Sequence, residues 1–236
     1  VNPTKDIILG CYYLTKILDN RKGEGKIFAS PEEAMLAYEN KIVDLKARIK
    51  MRPYKEKYLK QMGGVLIAEK YENPNALIDV SVGKIIFNEI FPSDFPFVAD
   101  VVEKKFISQL TDFIIKYFES DKVIEVMDKI KAIGFNYATV SGITWSMSDL
   151  VVPKEKETII GEARKEINVI EQQFNEALLS KEEKRVHAIK VWENSISQIA
   201  KNISKVLPPD NSVFQIFDSG SRGSWGQLSQ MMGMKG

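Results

Sequence analysis

Two stripes of apolar residues between residues 155 and 206 constrain the fold of this chain more than any other feature of its sequence. Within each stripe the apolar residues recur at intervals of three or four, which places them on one face of an α-helix. Such near-heptad spacing, flanked by charged residues, is typical of helices that pack along a single seam. The stripes consist of Ile159, Ala163, Ile167, Ile170, Phe174 and Ala177, and of Val186, Ile189, Trp192, Ile196, Ile199, Ile203 and Val206. The sequence therefore predicts an antiparallel helical hairpin, of the coiled-coil type, over residues 151–209.

The second helix of this hairpin carries capping signals at both ends. Ser180 followed by Glu183 forms a capping box, which starts a helix directly after the turn. Pro208 and Pro209 end that helix, because proline cannot continue the helical hydrogen bonding. His187 falls one residue off the apolar stripe and is predicted to lie at the surface. Because a hairpin of this kind buries only one seam, we expect it to protrude from a larger body.

The first 150 residues predict an irregular domain of short strands and helices. The apolar block at residues 6–14 fits either a buried strand or the start of a helix. A helix is predicted to start at Ser30, because Pro31 suits the first helical position and Glu33 completes a capping box, and to stop near Asn40. Together with the hairpin, these features predict an α+β fold, an irregular mixed domain followed by the protruding hairpin.

Four further elements are predicted within that domain. Residues 43–52 alternate between apolar and charged side chains, as in a half-buried strand with a mostly basic outer face. A weaker strand is expected at Val65–Ala68, after a pair of glycines. Helical spacing begins at Phe97, and a further helix is expected from Asp121 to just before Gly134.

Composition excludes several functional classes. The 33 Lys and Arg residues balance 32 Asp and Glu residues, so the average charge neither requires nor excludes a nucleic-acid partner. The single cysteine, Cys11, rules out an internal disulfide and reads as a small buried hydrophobe. One histidine argues against a zinc site or a histidine-based catalytic triad. No apolar stretch approaches the ~20 residues of a membrane span, and no signal peptide is evident, so we expect a soluble, cytoplasmic protein.

A short loop motif lies near the carboxyl end of the chain. Residues 218–223 read Asp-Ser-Gly-Ser-Arg-Gly, which places one arginine, Arg222, among glycines and small polar residues. Backbone N–H groups and a guanidinium are suited to phosphate oxygens, although the same motif also occurs in ordinary turns.

Together with three earlier blocks, this motif resembles the beta-prime subunit of bacterial DNA-directed RNA polymerase. The blocks occur in the order found in that family and span nearly the whole chain, with Ser221 standing where the family usually has alanine. They are Pro3–Thr15, Val82–Pro92, Gly134–Ile143 followed by Asp149 and Pro153, and Asn211–Gln227 followed by the closing Gly233-Met234-Lys235-Gly236.

The resemblance implies a division into three parts. Residues 1–150 would form the pore domain, which surrounds the secondary channel through which NTPs reach the active site. Residues 151–209 would be the rim-helix hairpin of the funnel domain. Residues 210–236 would be the F-loop segment that leads to the bridge helix.

The resemblance also implies roles for individual residues. Arg222 would contact the triphosphate of the incoming NTP, and Lys104 and Lys105 would line the channel. The F-loop would include Asp218, Ser219, Gly220 and Gly223. The hairpin tip, where transcription factors dock, would consist of Leu179, Ser180, Lys181, Glu182 and Glu183.

Catalysis itself would depend on parts of the enzyme outside this chain. The resemblance implies that the aspartates that bind Mg²⁺ lie elsewhere, so that no residue here is catalytic, no zinc ligand is expected, and the chain alone is inactive. Its start at Val1 and its glycine-rich end also read as those of an internal piece. The implied partners are the rest of the beta-prime subunit, the beta subunit, NTPs, the backtracked RNA 3′ end and secondary-channel transcription factors, but no membrane. The implied location is the cytoplasm, at the nucleoid.

Two alternatives come from other functional classes. The hairpin would also suit a stand-alone coiled-coil interaction module. Arg222 would also suit a free phosphate-binding enzyme, but the sequence offers no metal cluster, nucleophile–base pair or glycine-rich strand–helix motif to support one.

Overall fold

A computed structural model of the chain describes residues 2–235, except for the side chain of Ser204. These residues form helices and two small three-stranded sheets, which confirms the predicted α+β class. They divide into two compact units. The first contains the residues up to Ile143 together with Asp218–Arg222, and the second contains Thr144–Phe217 and the residues from Gly223 onward. Among the described helices, none is both long enough and apolar enough to cross a membrane.

The first unit contains short strands placed among helices. In chain order its elements are α1 (Asp6–Thr15), β1 (Ile27–Phe28), α2 (Pro31–Glu39), β2 (Ile49–Met51), β3 (Lys57–Met62), β4 (Val65–Lys70), β5 (Ile78–Val80), α3 (Val82–Glu89), β6 (Phe97–Val98), α4 (Lys104–Tyr117) and α5 (Ser120–Ser141). One sheet has the order β1-β2-β5, with β1 and β2 parallel, and the other has the order β4-β3-β6, with β3 and β6 parallel.

Helix α1 runs through the hydrophobic core of the first unit. Ile8, Cys11, Tyr12 and Leu14 are all at most 1% exposed, and residues buried around the whole helix are typical of a central element. The apolar block at residues 6–14 is therefore a helix. Cys11 is buried as predicted, and burial raises the pKa of its thiol to about 12.

The crossing of α1 and α5 explains an error in the sequence prediction. Helix α5 was expected to end before Gly134, but it continues to Ser141. Gly134 lies against α1, since a Cβ atom added at Gly10 would come within 1.8 Å of the Gly134 carbonyl oxygen. The glycine is present because the two backbones approach closely, which the sequence cannot distinguish from a helix end.

The strand predicted over residues 43–52 is correct in the burial of its apolar face, but the paired strand is shorter than predicted. The alternate side chains from Val43 to Met51 are all buried, yet strand pairing covers only Ile49–Met51 because the partners β1 and β5 are short. Lys46, which was expected on the outer face, is only 6% exposed, and its ammonium lies 3.5 Å from the centre of the Tyr13 ring. The aromatic ring offers a cation a favourable buried position.

Three further predictions have different outcomes. The helix expected from Phe97 begins only at Lys104, because Phe97 and Val98 pair with β3 instead. Helix α2 begins as predicted, with the Ser30 hydroxyl accepting from the Glu33 N–H. The Glu33 carboxylate, however, accepts from the N–H of Ala29 rather than from that of Ser30. The strand expected at Val65–Ala68 is confirmed as part of β4.

The second unit contains the predicted hairpin. Its elements are a short 3₁₀ turn (Met147–Asp149), α6 (Lys156–Asn175), α7 (Lys181–Val206), α8 (Ser212–Asp218) and α9 (Trp225–Met232). The capping box of Ser180 and Glu183 is present, and α7 ends at Val206, just before the two prolines. Helices α8 and α9 occupy much of the segment that the sequence suggested to be a loop. Their apolar residues join Ile199 and Ile203 in a small core of their own.

The hairpin seam differs from the predicted stripe near the tip. Val186 and Ile189 are 56% and 46% exposed, respectively, so both point away from α6. Their place is taken by Lys184, whose ammonium lies 4.8 Å from the centre of the Phe174 ring and 3.5 Å from the carboxylate of Glu171. A lysine can cover an apolar ring with its stem while it pairs with a carboxylate, so the stripe was misassigned there. His187 is exposed, as predicted.

Candidate functional site

The loop Asp218–Arg222 belongs to the first unit and is fixed to the start of α4. The N–H of Lys104 donates to the carbonyl oxygen of Ser219 over 2.9 Å. Gly220 adopts a φ of +68°, which favours glycine, and a Cβ atom added there would lie 3.0 Å from Cβ of Lys104. The Lys104 side chain therefore lies beside Gly220, which is two residues before Arg222.

A second set of contacts fixes the same loop to α1. The Tyr12 hydroxyl donates to the Asp218 carboxylate over 2.5 Å, and the Lys16 ammonium donates to the same oxygen over 3.3 Å. Burial, together with the hydrogen bond to Asp218 and its negative charge, raises the pKa of Tyr12 well above its usual value. Tyr12 therefore keeps its proton and remains a donor at any physiological pH.

Arg222 makes the third contact between the loop and α1. Its Nη2 atom donates to Oδ1 of Asp6 over 3.0 Å. The two side chains are 59% and 48% exposed, respectively, so the ion pair lies at the surface. Asp6 is in the first turn of α1, where the helix dipole favours a negative charge.

The two predicted channel lysines lie at the start of α4. Lys104 and Lys105 are both exposed, whereas the next two residues, Phe106 and Ile107, are buried in the core. The Thr15 hydroxyl accepts from the N–H of Val102 over 2.9 Å, which fixes the residues before α4 to the end of α1. The structure therefore places Lys104 beside the loop that carries Arg222, and Lys105 follows it in the first turn of α4.

The remaining F-loop residues support the backbone. Ser219 is fully buried, and its hydroxyl donates to that of Ser221 over 3.0 Å. Gly223, in the second unit, adopts a φ of +71°, and a Cβ atom added there would lie 2.5 Å from Cε1 of Phe217. Only glycine fits this position without displacing the ring.

The predicted hairpin tip forms a compact turn in the second unit. Ala177 adopts a φ of +59°, and the N–H of Leu178 donates to the carbonyl oxygen of Gln173, which closes α6. The tip residues are exposed except for Leu179, which is half-buried; the exposed ones are Ser180, Lys181, Glu182 and Glu183. Glu183 is engaged with Ser180 in the capping box, so its carboxylate stabilises the turn.

The loop presents two cationic side chains, and the two carboxylates at this site are already paired. Exposed ammonium and guanidinium groups from Lys104 and Arg222 suit phosphate oxygens. Asp218 is paired with Lys16 and Asp6 is paired with Arg222, and no group of three His, Cys, Asp or Glu side chains within residues 2–235 could hold a metal.

Three residues of this site were not identified from the sequence. Asp6, Tyr12 and Lys16 contact residues more than 200 positions away, at separations of 216, 206 and 202. Asp6 and Tyr12 lie in a block that carries the family resemblance, but no local pattern connects any of the three with the loop.

Comparison with known proteins supports the resemblance along the whole chain. Residues 1–150 match the family model for RNA polymerase Rpb1, domain 3, and residues 156–236 match that for domain 4. The full chain is 37% identical to the DNA-directed RNA polymerase subunit beta′ of Caldanaerobacter subterraneus subsp. tengcongensis and 36% identical to that of Thermoanaerobacter pseudethanolicus. This chain belongs to the RNA polymerase beta′ family. It spans 20% of the length of each of these two relatives.

A more distant relative gives the same assignment. The beta′ subunit of Roseiflexus castenholzii is 32% identical over the whole chain, which covers 18% of that protein. Membership of the beta′ family is thus confirmed.

Proposed function

We propose that this chain forms part of the wall of the secondary channel of RNA polymerase, where Arg222 contacts the triphosphate of an incoming NTP. The main support is the way in which loop Asp218–Arg222 is held. Tyr12, Lys16 and Lys104 fix its backbone and first residue, while the Arg222 guanidinium remains largely exposed. A fixed arginine beside a lysine suits the recognition of phosphate oxygens without selection of a base.

In this proposal the chain contributes to nucleotidyl transfer without performing it. Mg²⁺ and the catalytic aspartates come from the rest of the enzyme, and the arginine aligns the leaving pyrophosphate. Lys104 and Lys105 raise the local concentration of NTPs and also contact the RNA 3′ end during backtracking. The chain works in the cytoplasm, at the nucleoid, with the beta subunit and the remainder of beta′ as its partners.

The test is the Arg222→Ala variant in the assembled polymerase. Loss of a charge-assisted hydrogen bond of about 1.5–3 kcal/mol should raise the KM for NTPs roughly 10- to 100-fold. Arg222→Lys should recover only part of this effect, because lysine keeps the charge but loses the two-point geometry. Arg164→Ala removes an equal charge from the exposed face of α6 and serves as the control. Unchanged kinetics of the Arg222 variant at limiting NTP would exclude the assignment.

We also propose that the hairpin tip is a docking site for factors that act through the channel. The support is a rigid, capped turn that presents charged side chains to the solvent. Glu182→Lys should weaken stimulation of RNA cleavage by such a factor and leave basal elongation intact. Glu193→Lys makes the same change at an exposed position in the middle of α7. Equal effects of the two variants would argue against a role of the tip.

The stand-alone coiled-coil module remains the alternative function. The family match over residues 1–150, which lie outside the hairpin, favours the polymerase component. Co-purification of the chain with transcription activity tests the choice. A chain found only in fractions that lack polymerase would favour the module.

A further inference from the structure

The ion pair of Asp6 and Arg222 has the properties of a contact that a ligand can replace. It joins a single nitrogen, Nη2, to a single oxygen, Oδ1, over 3.0 Å. A guanidinium carries five N–H donors, so most of its hydrogen-bonding capacity remains for another anion. The exposure of both side chains makes the pair weak, because water screens it and competes for both groups.

We propose that Asp6 is a positioning residue that holds the Arg222 guanidinium when no nucleotide is bound and releases it to the triphosphate. This inference rests on the proposed contact between Arg222 and the NTP. The carboxylate is paired with the guanidinium in the ligand-free state, so a singly charged anion must compete with it. A triphosphate replaces it because several phosphate oxygens can engage the guanidinium in two-point geometry.

The two residues of the ion pair are each carried by a backbone that other contacts hold in place. Asp6 lies in the first turn of α1, a helix that is buried in the core, so the backbone that carries its carboxylate is fixed. Arg222 projects from a loop that Tyr12 and Lys104 anchor independently. Release of the ion pair therefore moves the arginine side chain while the loop backbone stays in place.

The surrounding charges leave Asp6 as the acidic partner of Arg222. Asp218, the other acidic residue of the site, already accepts from Tyr12 and Lys16. The neighbouring Lys104 is cationic and adds to the attraction for a polyanion. Neutralising Asp6 alone should therefore increase the affinity for every polyanion that binds Arg222.

The experiment uses Asp6→Asn in the assembled polymerase. The asparagine amide oxygen can still accept from Nη2, so this change removes the charge and keeps the hydrogen bond. The KM for NTPs should fall roughly two- to five-fold, the range expected for a surface ion pair, with kcat unchanged. Inhibition by inorganic tripolyphosphate, which has no base, should strengthen by the same factor. Asp112→Asn, at an exposed site on α4, is the matched control and should change neither constant.

The same substitution in an Arg222→Ala background completes the test. If Asp6 acts through the arginine, Asp6→Asn has no effect there. An equal fall in KM in both backgrounds would overturn the inference, as would an unchanged or raised KM in the single variant. If Arg222→Ala alone leaves the KM unchanged, the proposed function fails and the inference with it. A normal effect of Arg222→Ala without an effect of Asp6→Asn overturns only the inference.

Discussion

At the scale of single residues, Ala177 is a site of local backbone strain. It closes α6 with a φ of +59°, a conformation in which the Cβ atom of alanine is unfavourable and glycine is not. Ala177→Gly should therefore raise the free energy of unfolding by about 0.5–1 kcal/mol. Ala188→Gly, the same change within helical α7, should lower it by about 1 kcal/mol. Urea denaturation of both variants checks the prediction, and a loss of stability in both would contradict it.

Lys55 should make stability depend on pH. Its ammonium lies 3.4 Å from the carbonyl oxygens of Asn88 and Pro92, and burial lowers its pKa to about 8 from the model-compound value of 10.5. Between these two values the unfolded chain binds the proton and the folded chain does not, so stability rises with pH in that window.

Lys55→Met removes the titrating group and should abolish that rise. Solvent screening at the partly exposed Lys55 reduces the effect of the shift, so we expect the stability of this variant relative to the wild type to fall by about 1 kcal/mol between pH 7 and pH 10. Denaturant midpoints at intervals between pH 7 and 10 measure the difference. The denaturant midpoints of the control variant Lys70→Met, at an exposed position on β4, should change with pH in parallel with those of the wild type. A Lys55→Met curve that also parallels the wild type would show that Lys55 titrates normally.

At the scale of elements, glycines within helices have opposite roles in the two units. Gly10 of α1 lies against the Gly134 carbonyl of α5, whereas nothing lies within 4 Å of a Cβ atom added at Gly161 of α6. Gly10→Ala should separate the two helices and cost about 3 kcal/mol or more, since the clash is with backbone that cannot rotate away. Gly161→Ala should add about 1 kcal/mol through helix propensity. Thermal denaturation distinguishes them, and similar shifts in Tm would contradict the close crossing.

At the scale of the whole molecule, each unit has a hydrophobic core of its own. Leu228 is fully buried with Ile199 and Met232 in the second unit. Leu228→Ala should cost about 2–5 kcal/mol. Amide hydrogen exchange should show the loss in the second half of α7 and in α9, and unchanged protection in α3 and α4. Met231→Ala, on the exposed side of α9 at 47% exposure, should have little effect. Equal loss of protection in both units would contradict separate cores.

Local signals were sufficient wherever a short stretch of chain determines its own structure. The capping box at Ser180, the proline stop after α7 and the start of α2 at Ser30 were all predicted correctly, because caps depend on residues three or four positions apart. The burial of the alternate apolar residues from Val43 to Met51 was also correct, although Lys46 of the opposite face is buried as well. The strand length was not, since pairing depends on partners elsewhere in the chain.

Predictions failed where distant segments meet. Gly134 looked like a helix end because nothing in its neighbourhood shows that α1 crosses there. Val186 and Ile189 continued the stripe in the sequence, yet Lys184 packs on Phe174 instead. At Gly134 the deciding partner is the distant helix α1, whereas on α7 the packing across the hairpin decided which face meets α6.

The sequence by itself determined the family, the helical hairpin, the main caps and the position of Arg222 in its glycine-containing loop. Tertiary structure alone decided which residues surround that arginine. Asp6, Tyr12 and Lys16 reach the loop across more than 200 residues, at separations of 216, 206 and 202. Such contacts leave no periodic trace, because they form only after the core has packed α1 against its neighbours and brought the ends of the first unit together.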